Sequence, residues 1–446
     1  MTLAGFTLRL NGFVRHSAWT DELESAVYYS SPNNPVSSVL DDTGNPPFYY
    51  FLLRCWFSVL GWSEETGTLL SVILGTGAIV TIYLFIAPFM GKRTALYAAL
   101  FTAFSGFVID YSHEMRAYIF KICMAPLASL CLLRIMQSFS LKYALLYIAL
   151  SISIAGSHYY GILFVMANFL FFICNMICQR QWNGKRFFGF LAVNAVIAAS
   201  FLPVFWYLVF QKGYNFKRNL APGAGHIFLL AVVIAALSCF FLFKDKLQKL
   251  NFLICNNRTE SLRFAPYCIL LPAFMFCCAF LISLVKPLIS IRRFWPICAP
   301  YFFALAAVFI SRIADKYRFL KILFAYMVIA GLHRLTPDLP AGGTEGYREA
   351  RAYIAADAAA HPERKAALLT DTSPIAAYYG YEELPVYRKG EQYDVLYVLH
   401  GVYSMNETDM YETLHIHKMD ADNMLKIRFD YDFPRGDGNV IFKKFF

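Results

Sequence analysis

Windows free of Asp, Glu, Lys and Arg recur along this chain at residues 69–88, 95–109, 143–157, 161–178, 187–210, 226–243, 264–285 and 294–311. Two more, 118–133 and 320–332, carry a single Lys each. A transmembrane helix needs about 20 predominantly apolar residues, about 17 at the least. In hydrocarbon each backbone N–H and C=O must be satisfied inside the segment, which a helix does by itself. Windows 95–109 and 143–157 reach that length only with their flanking Tyr and Ser residues. Composition agrees. The chain is 58% hydrophobic, 17% aromatic and 16% charged, with a mean hydropathy of +0.47, against roughly 45–50% apolar and about 25% charged in soluble domains. The predicted fold class is an all-α polytopic membrane protein with about ten or eleven spanning helices and a small C-terminal α/β extracytoplasmic domain.

The net charge of +10 invites a nucleic-acid reading, but its placement argues against one. With the windows taken as spans, one alternating set of loops holds Lys92 and Arg93, Arg134 and Lys142, Arg180 to Arg186, Lys244 to Arg263, and Arg312 to Lys321. The other set holds half as many basic residues. The positive-inside rule places the richer set in the cytoplasm. Asp21, Arg116, His158, Arg292 and everything after His333 then face outward. None of the 11 Cys lies after Cys298 and none has metal-ligand spacing, so they read as small core hydrophobes. A bacterial cytoplasmic membrane fits this pattern.

Residues 1–11 are too short and too polar for a spanning helix or a signal peptide, and a spanning helix is expected upstream of them. Residues 12–66 form the first outer loop. Within it, Asn45-Pro46-Pro47 opens an apolar helical segment, with Pro suited to a first turn, that is too short to span and is expected to lie along the membrane surface. The transmembrane domain is predicted over residues 1–332 and the extracytoplasmic domain over 333–446. The latter has a helical pattern at 347–360 and strand-like runs at 366–370, 394–399 and 440–442.

Four outer loops hold residues able to do chemistry. Asp21 and Glu22, beside Trp19, read either as a solvated acidic pair or as a general base for an acceptor hydroxyl, a role worth about 10²–10⁴-fold in rate. One of the pair could also hold a cation or orient a sugar hydroxyl. The run Asp110-Tyr111-Ser112-His113-Glu114-Met115-Arg116 crowds ionisable groups into a tight interfacial turn, which is costly without partners. Arg116 suits a phosphate, which its planar fork binds through charge-assisted hydrogen bonds; the alternative is an internal Glu114–Arg116 pair. His158 lies in the third loop and reads as a hydrogen-bonded structural residue or a ligand to substrate. Lys286, Arg292 and Arg293 lie in the fourth, where an anionic headgroup or simple snorkelling would explain them. There is no phosphate-cradling glycine loop, no GxGxxG, no HExxH and no GxSxG, so nothing points to ATP-driven transport, a nucleotide-sugar domain or zinc proteolysis.

Taken in order, Trp19-Thr20-Asp21-Glu22, the run Asn45-Pro46-Pro47-Phe48-Tyr49-Tyr50-Phe51-Leu52-Leu53-Arg54, Gly91-Lys92-Arg93-Thr94-Ala95, Tyr111 to Tyr118, Ser157-His158-Tyr159-Tyr160 and Arg292-Arg293-Phe294-Trp295-Pro296 resemble the bacterial relatives of the protein O-mannosyltransferases. These family-39-like membrane glycosyltransferases share the GT-C superfold with the lipid A aminoarabinose transferases. The resemblance implies inverting transfer of a sugar from a polyprenyl-phosphate donor to a lipid, glycan or protein acceptor at the outer membrane face. It implies Asp21 as general base with Glu22 as its acidic neighbour, Arg116 on the carrier phosphate and Glu114 fixing the loop. Arg292, Arg293 and Lys286 are further candidates for the donor phosphate; Glu114, His113, His158, Tyr49, Tyr50 and Asn45 are candidates for substrate binding. No motif requires a cofactor, and a divalent cation could sit beside Asp21 and Glu22. Of a different class is a non-enzymatic transporter of lipid-linked sugar or polysaccharide, which many spans and basic outer loops would also suit.

Overall fold

The computed structural model describes residues 1–11, 18, 20–42, 45–178, 184–203, 264–285, 291–313, 315–335, 347–370, 394–400, 424–428 and 440–445. Its N-terminal part is a helical bundle. Helix α1 (Thr2–Leu10) is followed by the short α2 (Thr20–Leu23), which runs into a π-helical turn at Glu24–Tyr29 and a 3₁₀ turn at Val36–Leu40. Then come α3 (Phe48–Leu60), α4 (Glu64–Met90), α5 (Lys92–Phe104), α6 (Gly106–Tyr111), α7 (Ala117–Gln137), α8 (Leu141–Ser157), α9 (Tyr159–Cys178) and α10 (Gly184–Ser200). Helices α11 (Phe264–Val285), α12 (Ile291–Arg312) and α13 (Arg318–Leu335) complete the bundle among the described residues.

Among the described residues four stretches, Glu64–Met90, Ala117–Gln137, Tyr159–Met176 and Trp295–Arg312, are long and apolar enough to cross a membrane. Phe48–Leu60, Leu141–Ser157, Phe187–Ser200 and Phe264–Phe276 are shorter apolar helices. Seven of the ten apolar windows thus coincide with a single helix; 187–210 does so as far as Ser200, with 204–210 outside the described residues, 95–109 is divided between α5 and α6, and 226–243 lies outside the described residues. Large apolar side chains such as Ile73, Val80 and Leu84 on α4 point outward, as lipid contact requires. The inward faces carry small and hydroxylated residues, the usual means by which helices approach closely in hydrocarbon. Deep in the bundle, Tyr267 of α11 donates to Ser129 of α7 and Asn168 of α9, each at 2.7 Å. Ser129 also meets the Tyr301 hydroxyl of α12 at 2.6 Å.

The window 95–109, expected as one span, is broken at Ser105, whose backbone is extended (φ −67°, ψ 118°). The last carbonyls of a helix have no partner inside it. Here Arg9 of α1 takes them: its guanidinium donates to Thr102 O at 3.0 Å and Ala103 O at 3.2 Å. A cation at a helix C-terminus is also favoured by the helix dipole. The same guanidinium donates to Gly5 O and to Ser112 Oγ, so residues 1–11 are a helix whose only buried cation pins the α6–α7 turn.

Helix α4 supplies the bed for that turn. Gly67, Ser71 and Gly75 are spaced by four, so they lie on one face. A Cβ on Gly67 would overlap Met115 Sδ, and one on Gly75 would overlap Ser112 Oγ. Between them Ser71 Oγ donates to Glu114 O at 2.6 Å. Segment 112–116 therefore lies directly on the α4 backbone. Helix α3 begins at Phe48 with Pro47 at its N-cap. It buries Tyr49, Tyr50, Leu53 and Phe57 on one face and exposes Phe51 and Val59 on the other.

Toward the C-terminus, α14 (Tyr347–Ala360) precedes a four-stranded sheet of β1 (Ala366–Thr370), β2 (Val395–His400), β3 (Met424–Arg428) and β4 (Val440–Phe445), in the order β1-β2-β4-β3. β1 pairs parallel with β2, and the other two pairings are antiparallel. The helix docks through Ile354, buried with Val395 and Tyr397, and the Tyr397 hydroxyl donates to Asp357. The strand-like runs of the sequence correspond to β1, β2 and β4; β3 is added.

Gly75→Ala tests the α4 bed. The extra methyl raises helix propensity by up to about 1 kcal/mol, but the clash with Ser112 should outweigh it, since overpacking costs about 1–3 kcal/mol. A lower melting temperature in detergent is expected. At Gly184 an added Cβ meets nothing within 4 Å among the described residues, so Gly184→Ala should leave the melt unchanged or slightly raised. Equal melts for the two variants would contradict this account of the turn.

Candidate functional site

Asp21 and Glu22 are adjacent in sequence but face different environments. Both lie in the first turn of α2, where the free N–H groups and the helix dipole favour carboxylates. The Glu22 side chain is turned inward, 2% exposed, and its Oε1 accepts the backbone N–H of Met115 at 2.5 Å. The Asp21 side chain keeps 31% exposure and meets Arg116 Nη2 through Oδ2 at 3.3 Å. Arg116 also donates from Nη1 to Asp21 O at 3.0 Å and to Ser25 Oγ at 2.8 Å. Ser25 in turn donates to Asp21 O at 2.6 Å. The ion pair therefore runs between the two loops, from Arg116 to Asp21.

Glu114, two residues before Arg116, is 3% exposed. Burial, reinforced by the neighbouring Glu22, pushes its carboxyl well above the ordinary carboxylate range. Tyr49 of α3 is buried close enough to Glu22, Arg116 and Glu114 to feel their charges, and burial pushes its phenol up. Asp42 collects the next layer: the Tyr50 hydroxyl donates to its Oδ2 at 2.5 Å and Asn45 Nδ2 at 3.0 Å. Tyr29 lies 5.0 Å from Tyr50, ring to ring, and its phenol is pushed up to about 12 by burial and then by Asp42. These phenols remain protonated donors across the physiological range.

Glu22, Glu114, Asp21, Arg116 and Tyr49 thus form one cluster, with Asn45 and Tyr50 beside it through Asp42. His113 turns toward α1, its Nε2 2.7 Å from Arg9 O. His158 accepts the N–H of Tyr160 through Nδ1 at 3.2 Å, its ring 5.7 Å from Tyr118 and 5.3 Å from Tyr160. Lys121, one turn into α7, is fully buried with Nζ 4.9 Å from the Tyr118 ring centre. Trp19 and Lys286 lie outside the described residues, and Arg292 and Arg293 open α12 with side chains outside the description. Among the described residues no three His, Cys, Asp or Glu side chains are arranged to hold a metal ion.

The sequence reading missed Ser25, Arg9, Ser71, Asp42 and Glu64, which accepts the Ala18 N–H at 3.1 Å through Oε1. Only the i, i+4 spacing of Asp21 and Ser25, and of Gly67, Ser71 and Gly75, carried a local signal for any of them. Arg54 is similar. It lies inside the quoted Pro-Pro run, yet its work is to donate to the carbonyls of Ser31, Pro32 and Asn34 and so shape the loop before α3.

Residues 44–207 match the family described as dolichyl-phosphate-mannose-protein mannosyltransferase. No curated protein matches the chain in sequence. Among solved structures, ArnT from Cupriavidus metallidurans in the apo state is similar over 99% of this chain and 96% of its own, at 13% identity and a TM-score of 0.54. The same protein bound to undecaprenyl phosphate gives 14% identity, the same coverage and a TM-score of 0.53. The resemblance read from the motifs therefore holds at the level of architecture: the chain shares the fold of ArnT.

Proposed function

We propose that this chain is an inverting glycosyltransferase of the bacterial cytoplasmic membrane. It moves a hexosyl or pentosyl unit from a polyprenyl-phosphate carrier to the hydroxyl of a lipid, glycan or protein acceptor at the outer face. Residues 1–332 form the transferase domain in this reading, and 333–446 an outward α/β domain. The observation that carries it is the contact between Arg116 and Asp21, a buried phosphate-seeking cation and a part-exposed carboxylate 3.3 Å apart. Support for the carrier class comes from the mannosyltransferase match over residues 44–207 and from the GT-C fold.

In the reaction the Asp21 carboxylate accepts the proton of the acceptor hydroxyl. The acceptor oxygen then bonds to the anomeric carbon on the face opposite the phosphate. The bond from that carbon to the phosphate oxygen breaks, and its electron pair leaves with the polyprenyl phosphate. Arg116 stabilises the charge that develops on the leaving oxygen, the kind of preorganised electrostatic help that contributes most to such steps. Glu22 is held by the Met115 N–H and sets the position of Asp21 without touching the acceptor. Arrival of the phosphate competes with Asp21 for the guanidinium and so frees the base when the donor is in place.

Transfer of radiolabelled sugar from a panel of polyprenyl-phosphate sugars, measured in membranes, tests this reading. Asp21→Asn should lower transfer by about 10²–10⁴-fold, the size of a general-base contribution, at unchanged membrane abundance. Retained transfer would remove Asp21 from the base role. Arg116→Ala should weaken donor use by about 10–100-fold, matching a lost charge-assisted hydrogen bond of about 1.5–3 kcal/mol. No transfer from any donor by the native chain, with lipid-linked sugar still crossing the membrane, would favour the transporter instead.

A further inference from the structure

The three carboxyls around Arg116 are served unequally. Asp21 has the guanidinium at 3.3 Å and Glu22 has the Met115 N–H at 2.5 Å. Glu114 is 97% buried by its 3% exposure, and among the described residues no N–H, O–H or cation bonds its carboxyl. Its backbone is fixed, because Ser71 Oγ donates to Glu114 O at 2.6 Å. The side chain is therefore presented to the cluster from a backbone anchored on α4.

An ionised carboxylate buried without a donor is costly, by several kcal/mol per ion even after relaxation. The groups facing Glu114 make it worse. Glu22 and Asp21 of α2 and Asp110 of α6 push its pKa up further, against the opposing pull of Arg116 in its own segment; the Tyr49 phenol of α3 lies within reach of its charge, and Ser71 of α4 bonds its backbone carbonyl. One cation faces three other carboxyls. A sugar phosphodiester brings one more negative charge, so an ionised Glu114 would repel the very ligand that Arg116 attracts.

We propose that Glu114 is the neutral acid of the site: protonated in the resting protein, it donates a hydrogen bond to the carrier phosphate beside Arg116, while Asp21 and Glu22 carry the charge. This assignment rests on the polyprenyl-phosphate reading above and gives Glu114 a binding role in addition to its place in the loop. Its raised pKa, caused first by burial and then by Glu22, points the same way. The sign follows: the acid form, and with it phosphate binding, is present below that pKa and lost as pH rises through it.

Two measurements on the purified full chain decide it. The wild-type minus Glu114→Gln infrared difference spectrum at neutral pH should contain the C=O stretch of a protonated carboxyl. A carboxylate signature in its place would overturn the assignment. Binding of radiolabelled undecaprenyl phosphate, followed from neutral to alkaline pH, should weaken steadily for the wild type as Glu114 ionises. Glu114→Gln, whose amide donates but cannot ionise, should lose that alkaline decline and out-bind the wild type at the alkaline end. Glu114→Ala should bind about tenfold more weakly at neutral pH, the worth of one hydrogen bond to a charged group. A Gln variant as poor as Ala at all pH values, or one keeping the wild-type alkaline decline, would refute the hydrogen bond. Failure of the wild type to bind the lipid would sink the carrier reading along with the hydrogen bond, while the infrared band still reports the protonation by itself.

Discussion

The buried guanidinium of Arg116 is the constraint on which the rest of the site depends. An arginine taken out of water must have its donors met, and here they are met by the N-terminal loop: the Asp21 carboxylate, the Asp21 carbonyl and the Ser25 hydroxyl. The exchange is reciprocal, because the Arg116 segment returns the Met115 N–H to Glu22. Two loops more than 90 residues apart are thus fixed to each other by charge-assisted hydrogen bonds, the strong class of such bonds. Moving either loop by an ångström would leave a buried charge without its partner, a cost of several kcal/mol.

Such a lock works only if the 112–116 segment is itself immobile. Three supports hold it. Helix α4 offers a groove of Gly67, Ser71 and Gly75, with one hydrogen bond to Glu114 O. Helix α1 contributes Arg9, which holds Ser112 and the frayed end of α5 together. A chain of ring contacts, Tyr111 to Tyr118 to His158 tilted and His158 to Tyr160 stacked, closes the side toward α8 and α9. In the proposed reaction, a carrier whose long tail partitions into the bilayer needs no nucleotide-binding domain; the protein would have only to present a rigid cation and a base where the phosphate emerges from the lipid.

How much of this was legible in the sequence depends on how local each feature is. The spans were readable because hydrocarbon imposes a length and an apolar composition on each helix independently. The break at Ser105 carried one local signal, the Ser105-Gly106 pair inside the window 95–109; what needed the structure is the cap, Arg9, more than 90 residues away, whose guanidinium takes the carbonyls of Thr102 and Ala103. Strand β3 was passed over although Leu425-Lys426-Ile427-Arg428 alternates apolar and polar residues; only its register, set by pairing with β4, needed the structure. Asp21 and Arg116 could be singled out as charges in places where charges are expensive. That they bond each other, and that Arg116 does not simply close its own loop onto Glu114, needed the structure.

The sequence also could not rank the carboxyls. Asp21 and Glu22 are neighbours of one chemical kind, and Glu114 lies in a different loop. Their roles diverge because each meets a different supply of donors. Asp21 keeps 31% of its side chain open and shares a cation, so it can face a substrate. Glu22 is closed in and bonded to a backbone N–H, which makes it a strut. Glu114 is closed in with no donor among the described residues, which makes it the member of the set least able to ionise. Three groups of nearly equal intrinsic acidity are thereby separated by burial and bonding; in the proposed reaction they serve as a base, a support and an acid, a separation that would let one small site handle protons and phosphate charge together.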